Sequence, residues 1–387
     1  MKSRTLEISF QLLRLGLGIQ EGKSLDITCE DWQEIYTFSL QQSLLGVMFN
    51  GVQRSDQKPP QALVFQWLAY SERIKGLNKK ANQVAVKVSR LFEENGFRSC
   101  ILKGQGNALL YPNPYSRIPG DIDIWVRPED MVNGSRFRIN EDNKKRILEF
   151  VNSKWPGQLE RYHHVEIPPI NGVPIEVHFM PAYMRNPIYN RRLQKWFAEQ
   201  ADEQFSHYVT LPDCDTPISI PTPAFNCIYQ LQHMFSHLFT EGFGLRQVTD
   251  YYFVLTSGKL KDNSEKLKVK ETLKYLGLWK FARAMMWVMQ RVYSLDSKYF
   301  IAEPDQMEGE FILNEILQSG NMGHYDTRVG HKEGESIAHR YFRMTLRNMR
   351  FVKHYPSEAL CEPIFRTWYF FWRLTHRHWP RVAATLS

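Results

Sequence analysis

Two carboxylates, Asp121 and Asp123, stand two residues apart in an otherwise apolar run over residues 120–126. In a β-strand successive side chains point to opposite faces, so both carboxylates and Trp125 would share one face. Two negative charges held this close repel each other, and a bound cation relieves that repulsion. Mg²⁺ prefers carboxylate oxygens and keeps positions free for water and phosphate. The spacing therefore predicts a site for Mg²⁺, or for the similar ion Mn²⁺.

A third carboxylate stands on a second predicted strand, over residues 173–179. Apolar residues alternate there with Glu176 and His178, which would therefore lie on the polar face of a half-buried strand. The dipeptide Asn171-Gly172 precedes this strand and is typical of a two-residue hairpin turn. We therefore expect a preceding strand, over residues 160–167, to pair with it.

The predicted hairpin would bring His163 or His164 close to Glu176 or His178. Imidazoles beside carboxylates are typical of zinc sites. Histidines next to a metal-bound carboxylate more often hold that carboxylate in position through hydrogen bonds. We therefore expect His164 and His178 to orient Glu176 without binding the metal themselves.

Three basic residues and a glycine are candidates for contacts with phosphate groups. Lys103 and Gly104 follow a predicted strand; glycine lets a backbone approach a ligand closely, and lysine is a common phosphate ligand. Arg117 stands in the loop before the paired carboxylates, where it could meet a triphosphate or be an ordinary surface arginine. Arg246 stands one helical turn before Asp250, so it could fix that helix through an ion pair or reach a nucleotide.

This set of residues resembles the nucleotidyltransferase superfamily typified by DNA polymerase β. Within that superfamily it is similar to a family of uncharacterised bacterial nucleotidyltransferases. The matching motifs are Leu102-Lys103-Gly104, Arg117-Ile118-Pro119-Gly120-Asp121-Ile122-Asp123, Ile175-Glu176-Val177-His178 and Gly244-Leu245-Arg246-Gln247-Val248-Thr249-Asp250. The paired carboxylates with the upstream Lys-Gly are the more specific part, and the third acid and the last motif are weaker.

The resemblance implies a metal-dependent transferase that moves a nucleoside monophosphate from an NTP to an acceptor hydroxyl. It implies that Asp121 and Asp123 hold two Mg²⁺ ions, with Glu176 as a third metal ligand and catalytic carboxylate. The residues expected to bind the nucleotide are Lys103, Gly104, Arg117 and Arg246. The expected fold is α+β, a nucleotidyltransferase-type mixed β-sheet with flanking helices. The acceptor is open among a small molecule, an RNA and a protein side chain.

Two other functions fit the same residues. Where the superfamily usually has Gly-Ser or Gly-Gly, this chain has Gly104-Gln105. That difference fits a nucleotide-binding or toxin/antitoxin-type interaction protein with a weakened site. The second alternative is a metal-dependent hydrolase that uses His163, His164 and His178 together with the carboxylates. NTP binding without turnover would favour the first alternative, and stoichiometric zinc would favour the second.

The chain has 387 residues, which is long for a single hydrophobic core and predicts several lobes. Apolar residues at helical spacing predict a helical N-terminal region over residues 1–95 and a helical C-terminal domain over residues 222–387. The catalytic core would occupy residues 96–221 between them. Five scattered cysteines indicate reduced thiols and a cytoplasmic protein. No apolar run is long enough to predict a membrane span.

The basic excess of the chain is concentrated towards its C-terminal end. The formal charge is +8, and residues 331–387 contain ten Lys/Arg and four Asp/Glu, a surplus of six. Arginines are interleaved there with aromatic residues, as in Arg340-Tyr341-Phe342-Arg343. This pattern predicts either contact with an anionic acceptor or surface, or an amphipathic core helix whose arginines reach solvent.

Overall fold

The computed structural model describes residues 2–21, 25–130, 139–258, 263–329 and 336–375. It combines a mixed β-sheet with many helices, which confirms the predicted α+β class. The described residues divide into two compact units. The helical unit draws on Met1–Ala81, Gln105–Pro119 and Thr222–Ala359, and the sheet unit draws on Asn82–Gly104, Gly120–Pro221 and Leu360–Ser387.

The α-helices within the described ranges are α1 (Ser3–Gly16), α2 (Cys29–Gln41), α3 (Leu45–Arg54), α4 (Gln61–Glu93), α5 (Gln105–Ala108), α6 (Ile139–Lys154), α7 (Pro187–Gln204), α8 (Pro223–Leu238), α9 (Leu245–Thr256), α10 (Asn263–Tyr275), α11 (Trp279–Tyr293), α12 (Gln306–Ser319), α13 (Ile337–Met349), α14 (Pro356–Ala359) and α15 (Cys361–Thr375). Short 3₁₀ segments cover Pro114–Ser116, Ser297–Tyr299, Asn321–Gly323 and Thr327–Val329. The strands are β1 (Phe97–Ile101), β2 (Ile122–Pro128), β3 (His164–Ile170), β4 (Val173–His178), β5 (Tyr208–Thr210) and β6 (Pro217–Ser219). None of the helices in these ranges combines the length and the apolar character that crossing a membrane requires.

Hydrogen bonds to one carboxylate join α1 to α2 in the helical unit. Asp31 accepts a bond from the Thr28 backbone N–H at 3.0 Å, and the Thr28 hydroxyl accepts one from the Asp31 N–H at 3.2 Å. This reciprocal pair is a capping box at the start of α2. The same carboxylate accepts bonds from Thr5 at 2.9 Å and Arg4 at 3.0 Å, both on α1. These bonds, led by that from the Thr28 backbone, lower the pKa of Asp31 to about 2.

The main sheet of the sheet unit has the strand order β1-β2-β4-β3. β2 runs antiparallel to β1 and parallel to β4, whereas β3 runs antiparallel to β4. The aliphatic side chains of β2 are buried, with Ile122 at 2% exposure and Ile124 and Val126 at 0%. β5 and β6 pair with each other in a separate antiparallel sheet. The strands that carry Asp123 and Glu176 therefore lie side by side in the middle of the main sheet.

The turn between β3 and β4 is the predicted hairpin. Asn171 has φ +52° and Gly172 has φ +76°, the positive values that a type I′ turn needs at both central residues. The register places His164 opposite His178. β3 begins at His164 rather than near residue 160, because the Arg161 N–H donates to the His164 carbonyl at 2.8 Å and closes a local turn.

Candidate metal and nucleotide site

Four of the predicted site residues form one polar cluster in the sheet unit. Asp123 and Glu176 are register partners in the parallel pair of β2 and β4. His178 Nε2 lies 3.1 Å from Asp123 Oδ1 and 3.3 Å from Glu176 Oε2. Lys103 Nζ lies 3.0 Å from the same Asp123 oxygen. Asp123 is 1% exposed and His178 is 3% exposed, so the cluster reaches into the sheet's core.

The Lys103-Gly104 turn lies beside Asp121. The Leu102 N–H donates to the Asp123 carbonyl at 2.9 Å, which continues the β1–β2 pairing up to the turn. Gly104 has φ +70°, a backbone conformation that residues other than glycine rarely adopt. A Cβ built there would lie 3.8 Å from the Asp121 carbonyl oxygen, so the two backbones run close together. Asp121 itself is half-buried and stands immediately before β2.

The hairpin adds two histidines to the cluster, as predicted. His164 Nδ1 lies 3.6 Å from Glu176 Oε2, and His163 Nε2 lies 3.2 Å from His164 Nδ1. The rings of His163 and His164 each have a centroid 5.1 Å from that of His178. The prediction that the turn brings a histidine close to Glu176 is confirmed. That His164 and His178 orient Glu176 without binding the metal held by the carboxylates stays a prediction.

The groups of this cluster shift one another's pKa values. Burial alone would lower the pKa of His178, but its hydrogen bonds with Asp123 and Glu176 outweigh burial and raise it to about 9. Burial would raise the pKa of Glu176, but the hydrogen bond and charge of His178 lower it to about 2, against the opposing charge of Asp121. Burial, helped by the charge of His178, lowers the pKa of His164 to about 4. At neutral pH a charged His178 therefore lies between two carboxylates, and His164 is neutral.

The carboxylates present fit a hard divalent cation. Asp123 Oδ2 is buried and has no hydrogen-bond partner in the described part of the chain. Ligand atoms of Asp123, Glu176 and His178 lie within 4.8 Å of one another. A buried acceptor without a partner is unfavourable, and a cation with carboxylate ligands would satisfy it. Asp123 and Glu176 are therefore suited to hold Mg²⁺ or Mn²⁺, and a metal contact by Asp121 stays a prediction.

Arg117 and Arg246 belong to the helical unit and contact other residues of that unit. Arg117 Nε and Nη2 donate to the two carboxylate oxygens of Asp250, each at 2.7 Å. The Tyr111 hydroxyl donates to the same carboxylate at 2.7 Å. Arg246 Nη1 donates to the Ile118 carbonyl at 3.2 Å. The ion pair considered for Arg246 and Asp250 is thus replaced by one between Arg117 and Asp250, and nucleotide contacts by either arginine stay predictions.

Two of the ion pairs in the structure, Lys103 with Asp123 and Arg117 with Asp250, were not predicted from the sequence. The positions of Lys103 and Asp123 in the chain indicate the first pair. Lys103 comes just after β1, Asp123 stands near the start of β2, and these two strands are antiparallel. Antiparallel pairing brings the end of one strand to the start of the next, so a contact between the two residues could have been predicted. No local pattern indicates the pair of Arg117 with Asp250, because the two positions are 133 residues apart.

Part of the basic C-terminal segment lies on α13. Arg347 is 6% exposed and donates to the Leu238 carbonyl at 3.0 Å, while Arg350 lies 3.4 Å from a carboxylate oxygen of Glu315. A cavity of about 540 Å³ here is lined by Arg328, His339, Phe342, Arg343, Leu346, Arg347 and Arg350. Residues 331–335 and 376–387 lie outside the described residues. The predicted anionic partner of this segment stays a prediction.

Comparison with known proteins identifies the family. Residues 28–294, more than half of the chain, match the family described as "Uncharacterised nucleotidyltransferase". The chain belongs to this family. The resemblance drawn from the motifs is therefore confirmed, and the mixed sheet with its flanking helices is the nucleotidyltransferase-type fold that it implied.

No curated protein matches the chain. Among solved structures, an antigenic nucleotidyltransferase-like protein from Paracoccidioides brasiliensis is similar, at 14% sequence identity and a TM-score of 0.32, over 59% of this chain and 96% of that chain.

Proposed function

We propose that the protein is a Mg²⁺-dependent nucleotidyltransferase that transfers a nucleoside monophosphate from an NTP to an acceptor hydroxyl and releases pyrophosphate. The observation that carries this proposal is the pairing of β2 with β4, which puts Asp123 beside Glu176. That pairing leaves Asp123 Oδ2 buried without a hydrogen-bond partner among the described residues. Membership of a nucleotidyltransferase family supports the same type of reaction.

The carboxylates and His178 have separate tasks in this proposal. Asp121, Asp123 and Glu176 hold two Mg²⁺ ions. When bound, the ions neutralise the triphosphate and lower the pKa of the acceptor hydroxyl. His178 holds the carboxylates in position, since its Nε2 lies 3.1 Å from Asp123 and 3.3 Å from Glu176. In such a phosphoryl-transfer displacement the protein mainly positions the reacting groups and offsets their charge. The carboxylates and His178 of this cluster are suited to both tasks.

The phosphate contacts follow from the turn after β1. Lys103 carries its ammonium group 3.0 Å from Asp123, beside a carboxylate that would hold the metal, and its positive charge would attract phosphate there. Gly104 has no side chain and a positive φ, so a phosphate can approach its backbone closely. Arg117 and Arg246 are proposed as further nucleotide contacts on the strength of the family's motifs.

The acceptor is to be sought among small molecules, RNA and proteins. An anionic acceptor would suit the basic segment on α13, where Arg343 lines the 540 Å³ cavity. None of the five cysteines forms a disulfide in the described part of the chain, which supports the reducing, cytoplasmic setting proposed for this activity.

The test is a screen of labelled NTPs with Mg²⁺ against small-molecule, RNA and protein fractions. Wild type should label one acceptor class, and Glu176→Gln should reduce labelling by about 10²-fold or more, because a metal ligand and its charge are lost. Asp202→Asn is the matched control, since this acid pairs with Arg98 at 3.1 Å on the partly exposed surface of the same unit. NTP binding without any product would contradict the proposal and support the interaction protein.

A further inference from the structure

Three imidazoles and one carboxylate oxygen converge in the sheet unit. His163 Nε2 lies 3.2 Å from His164 Nδ1, and His164 Nδ1 lies 3.6 Å from Glu176 Oε2. The same Glu176 oxygen lies 3.3 Å from His178 Nε2. Ligand atoms of the three histidines all lie within 4.8 Å of one another. Three imidazole nitrogens therefore surround one small volume, and the Glu176 oxygen lies beside two of them.

The donor spacings match a four-coordinate transition metal. Zn²⁺ binds imidazole nitrogen at about 2.0–2.1 Å in tetrahedral geometry, so neighbouring donors stand about 3.3 Å apart. Imidazole suits Zn²⁺ and similar ions, whereas Mg²⁺ prefers oxygen ligands in an octahedron. The imidazole side of the cluster and its carboxylate side therefore select different classes of ion.

His178 is also held as metal ligands usually are. A metal-bound imidazole typically directs its other nitrogen to a carboxylate or a backbone carbonyl. His178 Nδ1 lies 3.3 Å from the Met180 carbonyl oxygen, which leaves Nε2 as the ligand atom. His164 Nε2 is buried without a hydrogen-bond partner among the described residues, so the choice of Nδ1 as the ligand atom rests on its closeness to His163 and Glu176. His164 and His178 are buried and face each other across the hairpin, so the two rings are in place before the metal arrives, and binding requires His178 to release its Nε2 proton.

We propose that His163, His164, His178 and Glu176 form a binding site for a divalent transition metal ion of the Zn²⁺ class. Glu176 and His178 also belong to the set that the Mg²⁺-dependent reaction uses. Binding of the transition metal therefore competes with that use and inhibits transfer. The binding site stands on its own geometry, whereas the inhibition rests on the proposed function.

The binding test uses the full-length chain stripped of metal. Titration with Co²⁺ should give one equivalent with the intense visible absorption of a tetrahedral site, and Zn²⁺ should displace it. His163→Ala should weaken this binding by about tenfold or more, because one of four ligands is lost. His237→Ala is the matched control, because its Nε2 lies 3.2 Å from that of His233 in the helical unit. The change therefore removes an imidazole from a histidine pair that is not part of the proposed site. Equal affinity in wild type and His163→Ala would overturn the proposal.

A second measurement needs no variant. X-ray absorption of the Zn²⁺-loaded wild type should show three imidazoles and one oxygen around the metal, and a shell of oxygens alone would overturn the site.

The inhibition is tested by adding Zn²⁺ to the Mg²⁺-dependent reaction. Relative to its own turnover without Zn²⁺, His163→Ala should resist Zn²⁺, while His237→Ala should be inhibited like wild type. Inhibition of His163→Ala at the same Zn²⁺ concentration overturns the competition. Absence of turnover from every protein, with Co²⁺ binding intact, overturns the proposed function instead.

Discussion

Arg117 and Asp250 form a two-point ion pair although they are 133 residues apart in the chain. Both bonds, Nε to Oδ1 and Nη2 to Oδ2, measure 2.7 Å. Arg117 is 4% exposed and Asp250 is 2% exposed, so the pair is shielded from water. Asn78 adds a hydrogen bond to the Arg117 carbonyl at 2.8 Å. Hydrogen bonds therefore connect Arg117, in the segment that precedes Asp121, to Asn78 on α4 and to Asp250 on α9.

Asp250→Asn should destabilise the protein by roughly 3 kcal/mol, because it leaves the Arg117 charge buried without its counter-charge. Asp202→Asn should change stability by less than about 1 kcal/mol, because its pair with Arg98 is partly exposed. Urea unfolding of the two variants beside wild type measures both effects. Equal losses in the two variants would show that the buried pair contributes no more than a surface pair.

Arg117→Lys tests whether Arg117 also contacts the nucleotide. Lysine cannot form two parallel bonds to one carboxylate, so this variant should lose stability much as Asp250→Asn does. If Arg117 contacts phosphate as proposed, Arg117→Lys should raise the KM for NTP further than Asp250→Asn. Steady-state kinetics at saturating Mg²⁺ measures the difference. The same KM in both variants would leave Arg117 with a structural role only.

The part of the site that can be predicted from the sequence is the β-hairpin, because the local residue pattern encodes it. Asn171-Gly172 determines the turn, and the alternation around Glu176 determines which side chains share a face, so the hairpin with its histidines could be predicted. The position of β4 beside β2 is not encoded locally. It depends on tertiary packing, as does the pairing of Arg117 with Asp250, because contacts between distant segments leave no periodic signal in the sequence.

Asp31 should make stability depend on pH in the acid range. Its pKa in the folded protein is about 2, below the unfolded value of 3.8. The ionised carboxylate therefore stabilises the fold fully above pH 3.8, and this contribution is lost as the pH falls through about 2. Asp31→Asn should cost about 1–2 kcal/mol at neutral pH, as expected for a damaged helix cap. The urea unfolding midpoints of wild type and Asp31→Asn should be measured from pH 7 to pH 3. The difference between the two midpoints should become smaller below pH 4, and a difference that stays constant would contradict this account.

Asp123→Asn should separate catalysis from folding at the centre of the candidate site. The change is nearly isosteric but removes the charge that pairs with Lys103 at 3.0 Å and His178 at 3.1 Å. The metal-free protein should therefore lose stability, by about 1–3 kcal/mol, as when one partner of a buried hydrogen bond is removed. Lys103, released from this carboxylate, should bind phosphate better, so affinity for NTP without Mg²⁺ should rise.

Transfer with Mg²⁺ should fall by roughly 10²-fold or more in Asp123→Asn, because charge stabilisation and orientation of the reacting groups are lost together. Thermal melting, NTP calorimetry and turnover, each with and without Mg²⁺, measure these effects beside the Asp202→Asn control. An interaction protein would show NTP binding and no wild-type turnover to lose. A zinc hydrolase would lose bound zinc in the variant, whereas a Mg²⁺-dependent transferase would lose Mg²⁺-dependent transfer. Wild-type turnover in Asp123→Asn would exclude Asp123 as a metal ligand, because no other residue of β2 presents a carboxylate to Glu176 across the strand pair.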